Sequence, residues 1–281
     1  MINQIRSGFL KLLHSFPTSD DHIAQGSSIL QGASLLKRHS LLQVVYPPTC
    51  VSCGVAVDVP HALCASCWSR LRFISRPLCE RLGTPFEVDV GGLILSPAAI
   101  SVPPLFQRAR AAVCYDETAR QLVSRFKYSD HMELGEALGR LMVQAGSELL
   151  NGADMLIPIP LHWTRLWKRR FNQAKILADV VSKITKADGS LQVRSDVLIR
   201  IKATRHQTGL TRRHRAANLR GAFQVPSKAL PCVKQKRIVL IDDVLTTGAT
   251  VNAATRALLK AGAAHVDVLT FARVTLGDDA I

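Results

Sequence analysis

The chain has 281 residues, 47% of them hydrophobic, a size that allows one α/β domain and a smaller module. It carries a net charge of +15, and residues 162–220 alone hold 15 Lys and Arg against three Asp, a net charge of +12. A basic excess confined to one segment favours polyanionic partners such as nucleotides, pyrophosphate or nucleic acid. No apolar run approaches the roughly 18 residues of a membrane-spanning helix, and the N-terminus makes a poor signal peptide. The composition thus argues against an integral membrane protein, and we expect a cytoplasmic location.

Four composition shifts predict the domain organisation. Residues 1–40 are weakly patterned and predict a flexible leader. Residues 41–85 hold most of the cysteines and predict a small metal-binding module. Residues 86–110, which contain two adjacent glycines and three prolines, predict a linker or irregular loop, and residues 111–281 predict an α/β domain.

Two Cys-x₂-Cys pairs, separated by ten residues, indicate a zinc site. Cys50 and Cys53 form the first pair, and Cys64 and Cys67 form the second. Four thiolates in two tight knuckles satisfy the tetrahedral coordination of Zn²⁺ and leave no open position. We therefore predict a structural zinc ion that helps to fold a module too short for a large core. Four unrelated buried thiols are the weaker alternative.

A third knuckle-like stretch follows at residues 77–85. It has Cys79 in the first position and Leu82 where the second cysteine is expected. Cys79, Cys114 and Cys232 are isolated in the sequence, and we interpret them as small buried hydrophobic residues. The sequence therefore predicts no more than one metal site.

Alternating strand and helix patterns predict a doubly wound α/β fold with a mostly parallel sheet. Strands are predicted at residues 111–115, 154–160, 198–200, 238–241 and 265–273, and helices at 118–126, 134–150, 174–186 and 251–260. Lys127 and Tyr128 follow the first helix, where they either face a ligand or form a solvated helix end. The sequence leaves both alternatives open.

The most informative stretch lies at residues 236–250. Four apolar residues predict a strand buried on both faces, two carboxylates follow where the strand is expected to end, and a loop of small hydroxyl residues leads into a helix. Such a loop binds an anion through converging backbone N–H groups and the helix dipole. The carboxylates suit sugar hydroxyls and a Mg²⁺ ion. The predicted phosphate ligands are Thr246, Thr247, Gly248, Ala249 and Thr250, and the predicted catalytic and ribose ligands are Asp242 and Asp243.

Two basic segments are candidates for charged ligands. Arg169 and Arg170 lie in a loop between a strand and a helix, which suits pyrophosphate. Arg205 and Gln207 lie in a polar, basic segment that suits a mobile lid over the substrate. Tryptophans interleaved with cations also suit single-stranded nucleic acid, although we favour core packing for the tryptophans and anion contact for the arginines. Residues 211–220 could form a basic helix that faces nucleic acid. These alternatives stay open.

The motifs together resemble a known family. Residues 236–250 resemble the phosphoribosyl pyrophosphate (PRPP) motif of type I phosphoribosyltransferases. The order of the four-cysteine module, Pro-Ile-Pro-Leu-His, Arg-Arg-Phe-Asn-Gln-Ala, Gln-Thr-Gly-Leu-Thr and the PRPP motif resembles the ComF family over about residues 41–275. Arg170 departs from the family pattern, which commonly has glycine there.

The resemblance implies a double zinc ribbon followed by a phosphoribosyltransferase-like domain at residues 111–281. It implies binding of PRPP with Mg²⁺, transfer of phosphoribosyl to an acceptor that the motifs do not identify, and a role in competence and DNA uptake. The alternative is a non-catalytic adaptor that binds single-stranded DNA or DNA-uptake proteins and keeps the PRPP pocket as a sensor or relic.

Overall fold

A five-stranded parallel sheet lies at the centre of the computed structural model, which describes residues 47–275 except positions 90, 93, 129–131, 163, 165–170, 186–190 and 204–218. Its strand order is β1-β7-β6-β2-β3, and β4 and β5 form a separate antiparallel pair. The strands are β1 (Ala109–Cys114), β2 (Met155–Pro158), β3 (Gln192–Val193), β4 (Ile199–Arg200), β5 (Phe223–Gln224), β6 (Arg237–Leu245) and β7 (His265–Arg273). The predicted α/β fold with a parallel central sheet is confirmed.

Among the described residues, four longer helices cover the sheet and three helices are short. The longer ones are α3 (Glu117–Tyr128), α4 (Met132–Leu150), α5 (Gln173–Thr185) and α7 (Ala249–Lys260); the short ones are α1 (Ala65–Ser69), α2 (Pro97–Ser101) and α6 (Leu230–Val233). Gly262 ends α7 with a positive φ of 93°, as the sequence predicts for a C-terminal cap. In the described part of the chain, no helix is both long and apolar enough to cross a membrane.

Strand β6 is the core of the sheet because its apolar residues alternate between two hydrophobic clusters. Val239 and Ile241 belong to the cluster that contains residues of α3, α4 and α5, and Ile238 and Leu240 belong to the cluster that contains residues of α7. The sequence predicts a strand that ends at Ile241. The strand instead continues to Leu245, because the residues beyond Ile241 keep their pairing with β7.

The connections on either side of β6 create a crevice at the carboxyl ends of the strands. The chain leaves β2 through α5 and reaches β3 on one side, whereas it leaves β6 through α7 and reaches β7 on the other. Adjacent parallel strands whose connections run in opposite directions form a topological switch point, where open α/β sheets bind ligands. The loops after β2 and β6 therefore flank one site.

The cysteine-rich module packs along the edge of the sheet beside β1. Phe73 forms an antiparallel bridge with Val113, the Ile74 N–H donates to the Ala112 carbonyl at 3.0 Å, and the Ala109 N–H donates to the Arg81 carbonyl at 2.9 Å. The module thus shields an edge strand that would otherwise expose unpaired backbone groups.

The buried guanidinium of Arg110 strengthens this attachment. It is 3% exposed, pairs with Glu80 of the module at 2.8 Å, and also pairs with Glu148 of α4. A second arginine, Arg76, contacts the same two carboxylates. This network joins the module to the sheet and to α4.

Candidate functional site

The loop after β6 has the backbone geometry of an anion cradle. Gly248 occupies the left-handed region, with φ of 76° and ψ of 0°, and serves as the N-cap of α7. A side chain would be strained there, so glycine is the residue that this turn requires. The Thr247 hydroxyl accepts a hydrogen bond from the Ala249 N–H at 3.4 Å. Thr246 is exposed, and residues 247–250 are half-buried at the start of a twelve-residue helix. The loop therefore offers backbone N–H groups and hydroxyls to an anion.

The acidic pair lies inside β6, so its two side chains point to opposite faces of the sheet. The face of Asp243 is the one covered by α3, and the Lys127 ammonium of that helix lies 2.8 Å from the Asp243 carboxylate. The two side chains are 22% and 15% exposed. The Asp242 carboxylate accepts a hydrogen bond from the Asp243 N–H at 2.9 Å. Both carboxylates are thus held by local contacts.

The carboxyl group of Asp242 binds its proton more tightly than an ordinary aspartate. Burial of this carboxyl group raises the pKa of Asp242 to about 8, and the negative charge of Asp243 adds to this rise. The Asp243 N–H and the charge of Lys127 oppose the rise without cancelling it. The Asp243 carboxylate faces the Lys127 ammonium at 2.8 Å. The raised pKa of Asp242 and this ion pair both reduce the negative charge of the acidic pair, which favours the approach of a polyanion.

The raised pKa of Asp242 predicts a pH-dependent stability. The folded protein binds this proton more tightly than the unfolded chain, so the stabilisation is complete below pH 4 and is lost as the pH rises to about 8. An Asp242→Asn variant cannot lose that proton. We expect it to gain stability relative to the native protein across this pH range, by up to about 1.4 kcal/mol per unit of pKa shift. Urea titrations at pH 5, 6, 7 and 8 measure the difference, and a constant difference would contradict the expectation.

The loop after β2 begins and ends beside the same site. The Ile159 N–H donates to the Ile241 carbonyl at 2.9 Å, and His162 is buried, with its Nδ1 2.9 Å from the Thr164 hydroxyl. Asn172 donates to the Ile159 carbonyl at 3.1 Å and accepts from the Ala174 N–H, which caps α5. The two ends of the basic loop are therefore fixed at the switch point.

Four of the predicted site residues lie outside the described residues. They are Arg169 and Arg170 in the loop after β2, and Arg205 and Gln207 in the segment between β4 and β5. Their contacts with pyrophosphate stay predictions, as does the nucleic-acid alternative for the same segments.

The four predicted zinc ligands come together in the structure. The Sγ atoms of Cys50, Cys53, Cys64 and Cys67 all lie within 4.8 Å of one another, and those of Cys53 and Cys64 are 3.7 Å apart. Sulfurs bound tetrahedrally to zinc at about 2.3 Å are separated by about 3.8 Å, so this four-cysteine cluster fits the ion.

Hydrogen bonds also prepare the four-cysteine cluster for a cation. Burial raises the pKa of Cys50, but N–H groups of Cys64, Cys53 and Ser52 outweigh this effect and lower it to about 6. The Cys64 N–H lies 3.2 Å from the Cys50 sulfur, and the Arg70 guanidinium lies 3.2 Å from the Cys67 sulfur. Donors that stabilise thiolates are the second layer expected around a structural zinc site.

The stretch around Cys79 repeats the knuckle without its second cysteine. In the first knuckle, the Gly54 N–H donates to the Cys50 carbonyl at 2.9 Å. In the third, knuckle-like stretch, the Gly83 N–H donates to the Cys79 carbonyl at 2.7 Å. The Cys79 sulfur is fully buried and accepts from the Leu82 and Ser96 N–H groups instead of binding a metal with partners. Among the described residues, the four-cysteine cluster is the one group of ligands that could hold a metal ion.

Lys127 is the site residue that sequence analysis left undecided. It lies 116 positions before Asp243, and nothing in its local pattern separates a ligand-facing lysine from a solvated helix end. In the structure, the Lys127 ammonium pairs with Asp243 at 2.8 Å, so it is not a freely solvated helix end.

Comparisons with known proteins agree with both parts of the chain. The double zinc ribbon domain family matches residues 41–98, and the phosphoribosyl transferase domain family matches residues 124–276. The chain is 30% identical over 236 residues to the DNA utilization protein YhgH of Escherichia coli (strain K12), a match that covers 81% of this chain and 97% of that protein. It is 27% identical to Competence protein F of Haemophilus influenzae, with 80% and 96% covered.

One further relative and one solved structure also match the chain. Competence protein ComFC of Bacillus subtilis is 27% identical to the chain, with 75% of this chain and 84% of that protein covered. A solved structure described as the allosteric regulatory enzyme of purine biosynthesis aligns with 48% of this chain and 25% of its own, at 20% identity and a TM-score of 0.30, too low to inform function.

Proposed function

Because the chain belongs to the ComF family, which joins a double zinc ribbon to a phosphoribosyltransferase domain, we propose that it binds PRPP at the carboxyl ends of β2 and β6. One observation carries the proposal: the acidic pair leads directly into a loop whose Gly248 has a positive φ and caps α7. A 5-phosphate and a ribose are separated by one methylene group. A phosphate cradle that directly follows two carboxylates suits that spacing.

Each group then has a role that follows from its chemistry. The backbone of residues 246–250 and the threonine hydroxyls bind the 5-phosphate. Asp242 and Asp243 would accept hydrogen bonds from the ribose hydroxyls and, as carboxylates, would hold Mg²⁺ directly or through water. Mg²⁺ bound there would supply positive charge that offsets the pyrophosphate. Arg169, Arg170, Arg205 and Gln207 contact the pyrophosphate or close over it. In a transferase, the C1–pyrophosphate bond breaks as an acceptor nucleophile bonds to C1.

Calorimetric titration of the zinc-loaded full chain with PRPP and Mg²⁺ tests the proposal, together with pyrophosphate release across a panel of nucleobases. Binding with release on one acceptor identifies a transferase. Binding without release favours a PRPP sensor. If PRPP does not bind in the presence of Mg²⁺, the proposal fails.

A second candidate function is a DNA-binding or partner-binding adaptor in DNA uptake. The net charge of +12 over residues 162–220 favours it, and so do the names of the relatives, which refer to DNA utilization and competence. Binding that rests on phosphate contacts weakens steeply with added salt and is independent of sequence. We expect the affinity for a labelled single-stranded oligonucleotide to fall by about 300-fold or more between 50 and 200 mM salt if six or more phosphates are contacted. Affinity that does not change with salt would contradict this role.

A further inference from the structure

One helix contacts both the zinc cluster and the acidic pair. The Arg125 guanidinium of α3 donates a hydrogen bond to the carbonyl of Ser52, which lies between the ligands Cys50 and Cys53. Two residues later, the Lys127 ammonium pairs with Asp243 at 2.8 Å. We propose that α3 connects the zinc knuckle to the PRPP site and that Lys127 is a positioning residue whose placement depends on the knuckle.

The N-terminal end of α3 is fixed to the end of strand β1. The Asp116 carboxylate accepts from the Ala119 N–H at 2.9 Å, which caps the helix. Leu122 and Phe126 are each 1% exposed and belong to the hydrophobic cluster that also contains residues of β6. The helix therefore cannot rotate freely about its axis without disturbing the core.

The C-terminal end of α3 depends on its neighbours. The Lys127 carbonyl accepts a hydrogen bond from the buried Gln173 amide of α5 at 3.4 Å. Val51 and Trp68 of the zinc module pack against the same hydrophobic cluster as the helix. The knuckle thus accepts the hydrogen bond of Arg125 and packs against the cluster to which α3 belongs, while α5 holds the last turn.

The ion pair gives this arrangement a consequence at the site. Lys127 balances the charge of Asp243, so an approaching polyanion meets less negative charge at the acidic pair. If Lys127 moves away, the carboxylate is left unbalanced and repels the phosphates of PRPP. Loss of the contact between Arg125 and the knuckle would loosen the last turn of α3 and so weaken the positioning of Lys127.

This inference rests on the proposed function, and variants of the zinc-loaded full chain test it. Lys127→Met should weaken Mg²⁺–PRPP binding about tenfold, and Lys127→Arg should restore most of it, because the effect depends on charge. Arg125→Ala should weaken binding about threefold with one zinc per chain retained. The double variant Arg125→Ala/Lys127→Met should bind no more weakly than Lys127→Met alone, since both act through one contact.

Arg120→Ala is the matched control, because Arg120 is exposed on the same helix and pairs with Glu117 away from the knuckle. It should bind PRPP as the native protein does. Native affinity in Arg125→Ala at full zinc occupancy would overturn the inference. The inference would also be overturned if the loss of PRPP affinity in the double variant equalled the product of the losses in the two single variants.

Hydrogen exchange separates this inference from the proposed function. We expect amides in the last turn of α3 to exchange several-fold faster in zinc-loaded Arg125→Ala than in the native protein, with α7 unchanged. A native chain that fails to bind PRPP would refute the proposed function. The exchange rates would still test whether α3 connects the zinc knuckle to Lys127. Unchanged exchange in α3 would overturn the link itself.

Discussion

Under the proposed transferase function, replacing Asp243 by asparagine is expected to reduce phosphoribosyl transfer severely and to leave the fold intact. Asparagine keeps the shape of the side chain but removes the charge that pairs with Lys127 and that would engage Mg²⁺ and the ribose. Loss of one preorganised electrostatic group typically costs about 10²–10³ in turnover, and we expect a loss of about 100-fold or more. Pyrophosphate release and calorimetric PRPP binding measure it.

The structure explains why this variant should remain folded. Pairing of β6 with β7 uses backbone groups on both sides of Asp243, and Lys127 is exposed enough to be solvated when its partner is lost. Asp179→Asn is a matched control, since Asp179 pairs with Lys175 on the exposed surface of α5. The control should behave like the native protein. Native PRPP binding and release in Asp243→Asn would remove this residue from the mechanism.

Replacing Cys67 by serine is expected to remove the zinc ion and to destabilise the whole described unit. Cys67 is fully buried, and a serine hydroxyl cannot replace the thiolate that the cluster needs. Because the module covers the edge of β1 and packs against the main core, unfolding of the module should also destabilise the sheet. If the zinc site contributes about 3–5 kcal/mol to folding, Tm should fall by roughly 10 °C, given about 2–4 °C per kcal/mol for a domain of this size.

Zinc content and thermal unfolding measured on the same sample test this expectation. Cys232→Ser is the matched control, because Cys232 is half-buried and lies outside the cluster. Its sulfur accepts a hydrogen bond from the Arg194 guanidinium at 3.6 Å. It should retain one zinc per chain and lose little stability. A Cys67→Ser protein that still binds one zinc per chain would show that the four-cysteine cluster is not the metal site.

The parts of the site that sequence analysis predicted well are contiguous in the chain. The run from Ile238 to Ile241 predicts a strand buried on two faces, and its residues do divide between two hydrophobic clusters. The requirement for glycine at position 248 and the helix that follows are equally local, because a turn with positive φ depends on residues next to each other. The same holds for the third knuckle-like stretch at Cys79, in which a glycine N–H donates to a cysteine carbonyl as it does in the first knuckle.

Predictions that depended on the end of an element were less accurate. The sequence places the acidic pair after the strand, since carboxylates are unfavourable within a buried one. In the structure, Asp242 and Asp243 lie within β6 because pairing with β7 continues past them to Leu245. Tertiary hydrogen bonding thus overrides the local preference and sends the two side chains to opposite faces.

The sequence by itself determined the four-cysteine metal site, the α/β class and the acidic pair that precedes a phosphate-binding type of loop. Each of these depends on residues that lie close together in the sequence. Only the tertiary structure decided that Lys127 pairs with Asp243, that burial raises the pKa of Asp242, and that α3 contacts both the zinc knuckle and Asp243. These properties arise from burial and from contacts between residues 73 to 116 positions apart. Such contacts form when the elements pack together, and no local pattern specifies them.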